Sequence, residues 1–228
     1  MAEPNPEELF NLGIKNYKEQ DFSKARKYFE RACELNNGSG CGTLGILYEN
    51  GEGVEKNLTK AAQFYSKACD LKDGRGCDEL GRLYYYGRGV EKNSKKAAYF
   101  YYKACELNNG SGCSGLGFLY RSGEGVEKNL IKAAYLYSKA CQLKDGMGCK
   151  NLGALHYNGE GVEKNLIKAA QLYSKACDLN NGEGCGALGG LYYNGDGVKQ
   201  DSKKAAALFE KACKLGYKKA CEMLKLLR

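Results

Sequence analysis

The chain has no tryptophan, only two prolines and a single histidine in 228 residues. Scarce proline leaves helices uninterrupted. One histidine, His156, excludes the clustered imidazoles of a histidine-rich zinc enzyme. No stretch approaches the ~20 apolar residues of a membrane span. The opening MAEPNPEELF has neither the charged nor the apolar region of a secretory leader. No serine is followed three residues later by lysine, S-D-N and K-T-G are absent, and there is no G-x-S-x-G elbow. The familiar serine-hydrolase signatures are therefore missing. C-x-x-C, the common redox spacing, is missing too.

What is present is regular. Twelve cysteines fall as Cys33/Cys41, Cys69/Cys77, Cys105/Cys113, Cys141/Cys149, Cys177/Cys185 and Cys213/Cys221. Every pair is C-x₇-C, and each follows the last by 36 residues. A fixed period of this size marks a repeat array. Residues 41–69, CGTLGILYENGEGVEKNLTKAAQFYSKAC, return at 113–141 as CSGLGFLYRSGEGVEKNLIKAAYLYSKAC. Each unit reads as two helices. The first runs from the cysteine through L-G-x-L-Y and stops at Gly-x-Gly, whose glycine suits a left-handed cap. The second follows Asn57, Asn93, Asn129, Asn165 or Asp201, all strong N-cap residues. Its Ala61, Tyr65 and Ala68 share one apolar face.

The ends differ from the middle. Residues 7–36 carry Gly13, Ala25, Phe29 and Ala32 without the GEGVEKN loop. Residues 37–216 form five 36-residue repeats, and 1–6 form a tail. Residues 217–228 read as a capping helix, with Leu224 and Leu227 inward and Lys218, Lys219, Lys225 and Arg228 outward. Atypical terminal units are expected where a stack meets water.

The Gly13/Ala25/Phe29/Ala32 spacing resembles a tetratricopeptide repeat. The longer loop and 36-residue period resemble Sel-one-like repeats, and C-x₇-C in every unit resembles the Helicobacter cysteine-rich proteins. This resemblance implies an all-α, right-handed α-solenoid of disulfide-linked helix pairs, exported from the cell in a mature form. It also implies penicillin binding with weak β-lactamase activity, or a host-facing antigen. No motif in the chain supplies that hydrolase chemistry. Near-identical repeats equally fit an engineered consensus array without a ligand.

Four roles for the cysteines compete. Structural zinc favours C-x₂₋₄-C pairs, and a redox switch favours C-x-x-C. Six staples across short turns such as NNGSG are the expectation. Each nine-residue ring contributes about 2.5 kcal/mol on the loop-entropy model. Staples imply an oxidising compartment, secreted or periplasmic. Twelve reduced cysteines in a cytosolic solenoid are the alternative.

GEGVEKN at 51–57, 123–129 and 159–165, with GRGVEKN at 87–93, is glycine-rich but lacks the G-K-[ST] of a phosphate loop. It reads as a helix–helix turn. His156 takes the slot of Tyr48, Tyr84, Tyr120 and Tyr192, and reads as a packing residue. The net charge is +8, but its lysines recur at one repeat position. That reads as a solvated face rather than a nucleic-acid surface. No cofactor or metal is expected.

Variation among the repeats is more informative. Counted from the opening cysteine, offsets 0, 3, 4, 6 and 7 scarcely change, while 1, 2, 5, 8 and 9 change freely. On a helix the variable offsets fall within an arc of about 120°. This stripe holds Asp78, Glu79, Arg82, Tyr85, Tyr86, Phe118, Arg121, Lys150, Asn151, Tyr157, Asn158, Tyr193 and Asn194. It is the candidate groove for a peptide, a protein segment or a cell-wall-related or β-lactam ligand, on a monomer. Tyr85, Tyr86, Arg82 and Arg121 are its expected contact residues.

Overall fold

The computed structural model describes residues 5–226. Residues 1–4 of the expected tail, and the expected cap positions Leu227 and Arg228, lie outside them. Thirteen helices and no strand occur among the described residues. They run α1 (Pro6–Lys18), α2 (Phe22–Glu34), α3 (Gly38–Asn50), α4 (Leu58–Asp70), α5 (Gly74–Tyr86), α6 (Ser94–Glu106) and α7 (Gly110–Ser122). There follow α8 (Leu130–Gln142), α9 (Gly146–Asn158), α10 (Leu166–Asp178), α11 (Gly182–Asn194), α12 (Ser202–Lys214) and α13 (Lys218–Leu226). The fold is an all-α repeat solenoid. It divides into two compact units, one of residues up to Gly112 with Glu124–Val126, the other of Cys113–Gly123 and the chain from Glu127.

The expected N-caps hold. Asn57, Asn93, Asn129, Asn165 and Asp201 each accept the backbone N–H three residues on. The first helix of each hairpin, however, begins before its cysteine, at Gly38, Gly74, Gly146 and Gly182. The NNGSG and KDGxG stretches are not loops throughout. Asn37, Asp73, Asp145 and Asn181 are N-caps that accept the N–H of Gly40, Gly76, Gly148 and Gly184. Those helical positions are glycine because the neighbouring helix leaves no room for a side chain: a Cβ on Gly76 would stand 2.5 Å from the Ala68 Cβ. The turn itself shrinks to a cap, one left-handed residue such as Lys72, and the next cap.

The core repeats one contact. The glycine of L-G receives an aromatic ring from the second helix. A Cβ on Gly45 would come 2.6 Å from the Tyr65 ring, and one on Gly81 or Gly153 2.8 Å from Tyr101 or Tyr173. Gly13 faces Phe29 and Gly189 faces Phe209 in the same way. Leucines and alanines close around each ring, as with Ala61, Ala62, Leu80 and Leu83 around Tyr65. The second loop glycine has a different task. Gly53 lies at φ +67°, and its added Cβ would stand 2.6 Å from the Phe22 backbone, so the loop rests on the preceding hairpin.

Bridges join Cys33–Cys41, Cys69–Cys77, Cys141–Cys149, Cys177–Cys185 and Cys213–Cys221, with Cα atoms 4.4–4.9 Å apart. No described cysteine is free. Helix α13 closes the second unit: Leu224 and Met223 pack on the α12 core, while Lys218, Lys219 and Lys225 are exposed. All the cysteines are buried except Cys213 and Cys221, which are half-exposed.

Thiol–disulfide exchange depends on access. Graded reduction followed by alkylation and peptide mass spectrometry is expected to label Cys213 and Cys221 first. Uniform labelling of all pairs would contradict the burial order.

The core tyrosines make a second test. Tyr65 donates from its hydroxyl to Glu49 at 2.8 Å. The buried Tyr137 hydroxyl has no partner among the described residues, and burial pushes its pKa up to about 12. Phenylalanine already serves this position at 29 and 209. Tyr65→Phe is expected to cost about 1–2 kcal/mol and Tyr137→Phe nothing, or to stabilise slightly. Urea melts of the two variants measure this, and equal losses would refute it.

Candidate interaction face

The variable stripe lies on the first helices of the hairpins. In the first unit, Asp78, Glu79, Arg82 and Tyr85 are half-buried on α5, and Tyr86 is 62% exposed at its end. In the second unit, Phe118, Asn158, Tyr193 and Asn194 are exposed, Arg121, Lys150 and Tyr157 are half-buried, and Asn151 is buried. The stripe is therefore not uniformly on display.

Much of its charge is already paired. Arg82 donates from Nη2 to both oxygens of buried Glu49, at 2.8 and 3.0 Å, and from Nε to Glu79 at 2.7 Å. Arg121 pairs with Glu160 at 3.0 Å, and Lys150 with Glu183 at 2.9 Å. Asn158 and Asn194 donate to Glu160 and Asp196 in their own loops. Of the expected contact residues, Arg82 and Arg121 hold neighbouring repeats, and the Tyr85 hydroxyl meets Glu124 at 3.5 Å. Tyr86, Phe118 and Tyr193 are the aromatic surface that the stripe offers.

These pairs follow a rule. In four of the first helices, a residue in the last turn meets the residue between the loop glycines of the next repeat. Tyr17 donates to Glu52 at 2.8 Å, Arg88 reaches Glu49 at 3.4 Å, Tyr85 meets Glu124, and Arg121 meets Glu160. This explains the single GRGVEKN. Its arginine replaces the usual glutamate because the preceding repeat presents Glu49, where other repeats present tyrosine or arginine. Glu49 was absent from the sequence-derived stripe, and the odd loop was the signal that pointed to it.

Burial alone would raise the Glu49 pKa. Hydrogen bonds from Arg82 and Tyr65 and the charges of Arg82 and Arg88 outweigh it and hold the carboxyl below the ordinary range. The Tyr65 hydroxyl is pushed up by burial and by Glu49. Among the described residues, no group of three or more histidine, cysteine or acidic side chains is placed to hold a metal ion. No described helix is long and apolar enough to cross a membrane.

The sequence matches the Sel1 repeat at residues 43–73, 75–109, 110–145, 146–181 and 182–217, and the tetratricopeptide repeat at 6–39. HcpC of Helicobacter pylori strain J99 is 63% identical over 57 residues, covering 25% of this chain and 20% of that protein. Beta-lactamase HcpA of the same strain is 54% identical over 57 residues, covering 25% of this chain and 23% of that protein. The matched segments thus span less than a quarter of these relatives. A Sel1 repeat protein from Oxalobacter formigenes superposes with TM-score 0.85 at 29% identity, over 95% of this chain and 86% of that one. The structure of c5321, a protective antigen of uropathogenic Escherichia coli, does so with TM-score 0.83 at 29% identity, over 96% and 48%. The chain belongs to the Sel1 repeat family, in the cysteine-rich branch known from Helicobacter.

A carboxylate held below its unfolded pKa stabilises the fold above that unfolded value, and the contribution fades as pH falls through the folded one. Arg88→Glu sets a second carboxylate against Glu49. It is expected to cost roughly 1 kcal/mol at pH 7, and less at about pH 3.5, where unfolded and then folded carboxylates take up protons. Urea melts at the two pH values decide, and a loss independent of pH would remove the rung from the account.

Proposed function

We propose that the chain works outside the cytoplasm as a disulfide-stapled scaffold that holds an extended peptide, a protein segment or a cell-wall-related ligand along the first-helix face of its units. The observation that carries this reading is the exposure of Tyr86 on the first helices of one unit, and of Phe118 and Tyr193 on those of the other, in repeats whose charged neighbours are already paired. Rigid aromatics on a preorganised frame lose little entropy on binding. Buried bridges support the oxidising compartment. The similarity to c5321, a protective antigen, supports display to a host as a related role.

The test begins with selection of peptides and peptidoglycan fragments against the whole chain. Selected ligands are then measured on a Tyr86→Ala/Tyr193→Ala variant, which leaves the ion pairs intact. A loss of about tenfold or more is expected. Unchanged affinity, or no ligand enriched over an unrelated repeat protein, would end this reading. The similarity to beta-lactamase HcpA supports a second one, β-lactam binding with slow turnover. Nitrocefin hydrolysis above a boiled control would favour it, and its absence would remove it.

A further inference from the structure

Four repeats place a tyrosine seven residues after the opening cysteine, and in each a lysine of the second helix covers its ring. Lys60, Lys96, Lys132 and Lys204 lie 5.0–5.3 Å from the ring centroids of Tyr48, Tyr84, Tyr120 and Tyr192. The remaining repeat has His156 there, only 7% exposed. Its Nδ1 lies 3.1 Å from the Glu163 carbonyl oxygen. A carbonyl can only accept, so Nδ1 carries a proton. Nε2 is left without a hydrogen-bond partner among the described residues.

The hollows beside these rings differ more in lining than in size. Beside Tyr192 a hollow of about 400 Å³ is lined by that ring, its loop, Lys204 and the acidic Asp201. Beside Tyr48 one of about 280 Å³ includes Glu55. Beside His156 the hollow is about 430 Å³ and is lined by Leu152, Leu172 and Cys141. Its rim carries Lys168 and Lys175, and no acidic residue lines it. Lys168 lines this space, as Lys60 and Lys204 line theirs, but without a tyrosine ring beneath it.

We propose that this hollow is a binding site for an apolar organic carboxylate with an adjacent N–H donor, the chemistry of an N-acylated apolar amino acid. The carboxylate is neutralised by Lys168 and Lys175, the apolar body rests on Leu152 and Leu172, and the N–H donates to His156 Nε2, the ring nitrogen that does not face the Glu163 carbonyl. A size of about 430 Å³ falls within the range of small-molecule sites. The site is independent of the first-helix face, since none of its lining residues belongs to that stripe.

His156 is the only histidine, so its ring protons are a resolved reporter in proton NMR. Titration of the whole chain with N-acetyl-phenylalanine is expected to shift them saturably, with a Kd in roughly the millimolar range. The matched neutral N-acetyl-phenylalanine amide is expected to bind at least about tenfold more weakly. His156→Tyr restores the residue of the other repeats, so it should keep the fold and lose binding, followed by saturation-transfer NMR on the ligand. A tetrapeptide ending in phenylalanine, if tighter than the acetyl compound, assigns the site to peptide C-termini, and if weaker to free acyl amino acids. Unmoved His156 signals at about 10 mM ligand, equal binding of the amide, or full binding by a folded His156→Tyr variant would each overturn the proposal.

Discussion

The structure depends on one steric fit, an aromatic ring seated on a glycine. Gly45 under Tyr65, Gly81 under Tyr101 and Gly153 under Tyr173 let two helices approach to a distance that any Cβ would prevent. A ring in such a notch is buried on nearly all sides, and aromatic burial is among the larger favourable terms available to a small helical hairpin. The notch also fixes where the helices cross. The remaining residues of each repeat then serve that crossing: alanines line it, leucines fill beside it, and glycine caps end the first helix before it overshoots. A glycine in mid-helix costs about 1 kcal/mol of intrinsic propensity. The staple between hairpins offsets that cost by restricting the unfolded chain.

Between repeats the interaction changes character. Apolar packing there is generic, since every hairpin presents nearly the same surface. The rung from the last helical turn to the next loop is individual: Tyr17 with Glu52, Glu49 with Arg88, Arg121 with Glu160. Exposed ion pairs contribute little, but Glu49 is only 8% exposed and is held by Tyr65, Arg82 and Arg88 together. A buried carboxylate must keep its partners or lose heavily. This network therefore contributes more to neighbour specificity than to total stability. A repeat carrying glutamate at position 88 would fit beside Tyr17 or Arg121 but not beside Glu49.

Period, helix pairing and caps were legible in the sequence because each is local: Asn57 and Asp201 cap the turns that follow them. The starts of the first helices were not, because glycine marks a turn and a close approach with the same letter. Gly40 and Gly76 are there for contact with Ala32 and Ala68, residues of the preceding helix. The variable stripe was drawn from the helical spacing alone, which carries no information on pairing. Arg82 and Arg121 have the chemistry of binding hot spots, yet their partners lie 33 and 39 residues away. Only the register of adjacent repeats brings those groups together. Asn151 of the stripe is buried as well.

The same repetition makes exceptions informative. In a unique domain, one histidine on a half-apolar helix carries no message. Here the position is sampled five times, and four copies share a tyrosine under a lysine. The four copies are an internal control for what packing alone requires, and packing is satisfied by tyrosine. At His156 the chain gives up that ring–lysine contact beside a hollow with an apolar floor. Arg88 is an exception of the opposite kind, because a partner within the chain accounts for it fully. An exception explained by its neighbours belongs to the fold. One that gives up a contact the other copies keep is where the proposed ligand is placed.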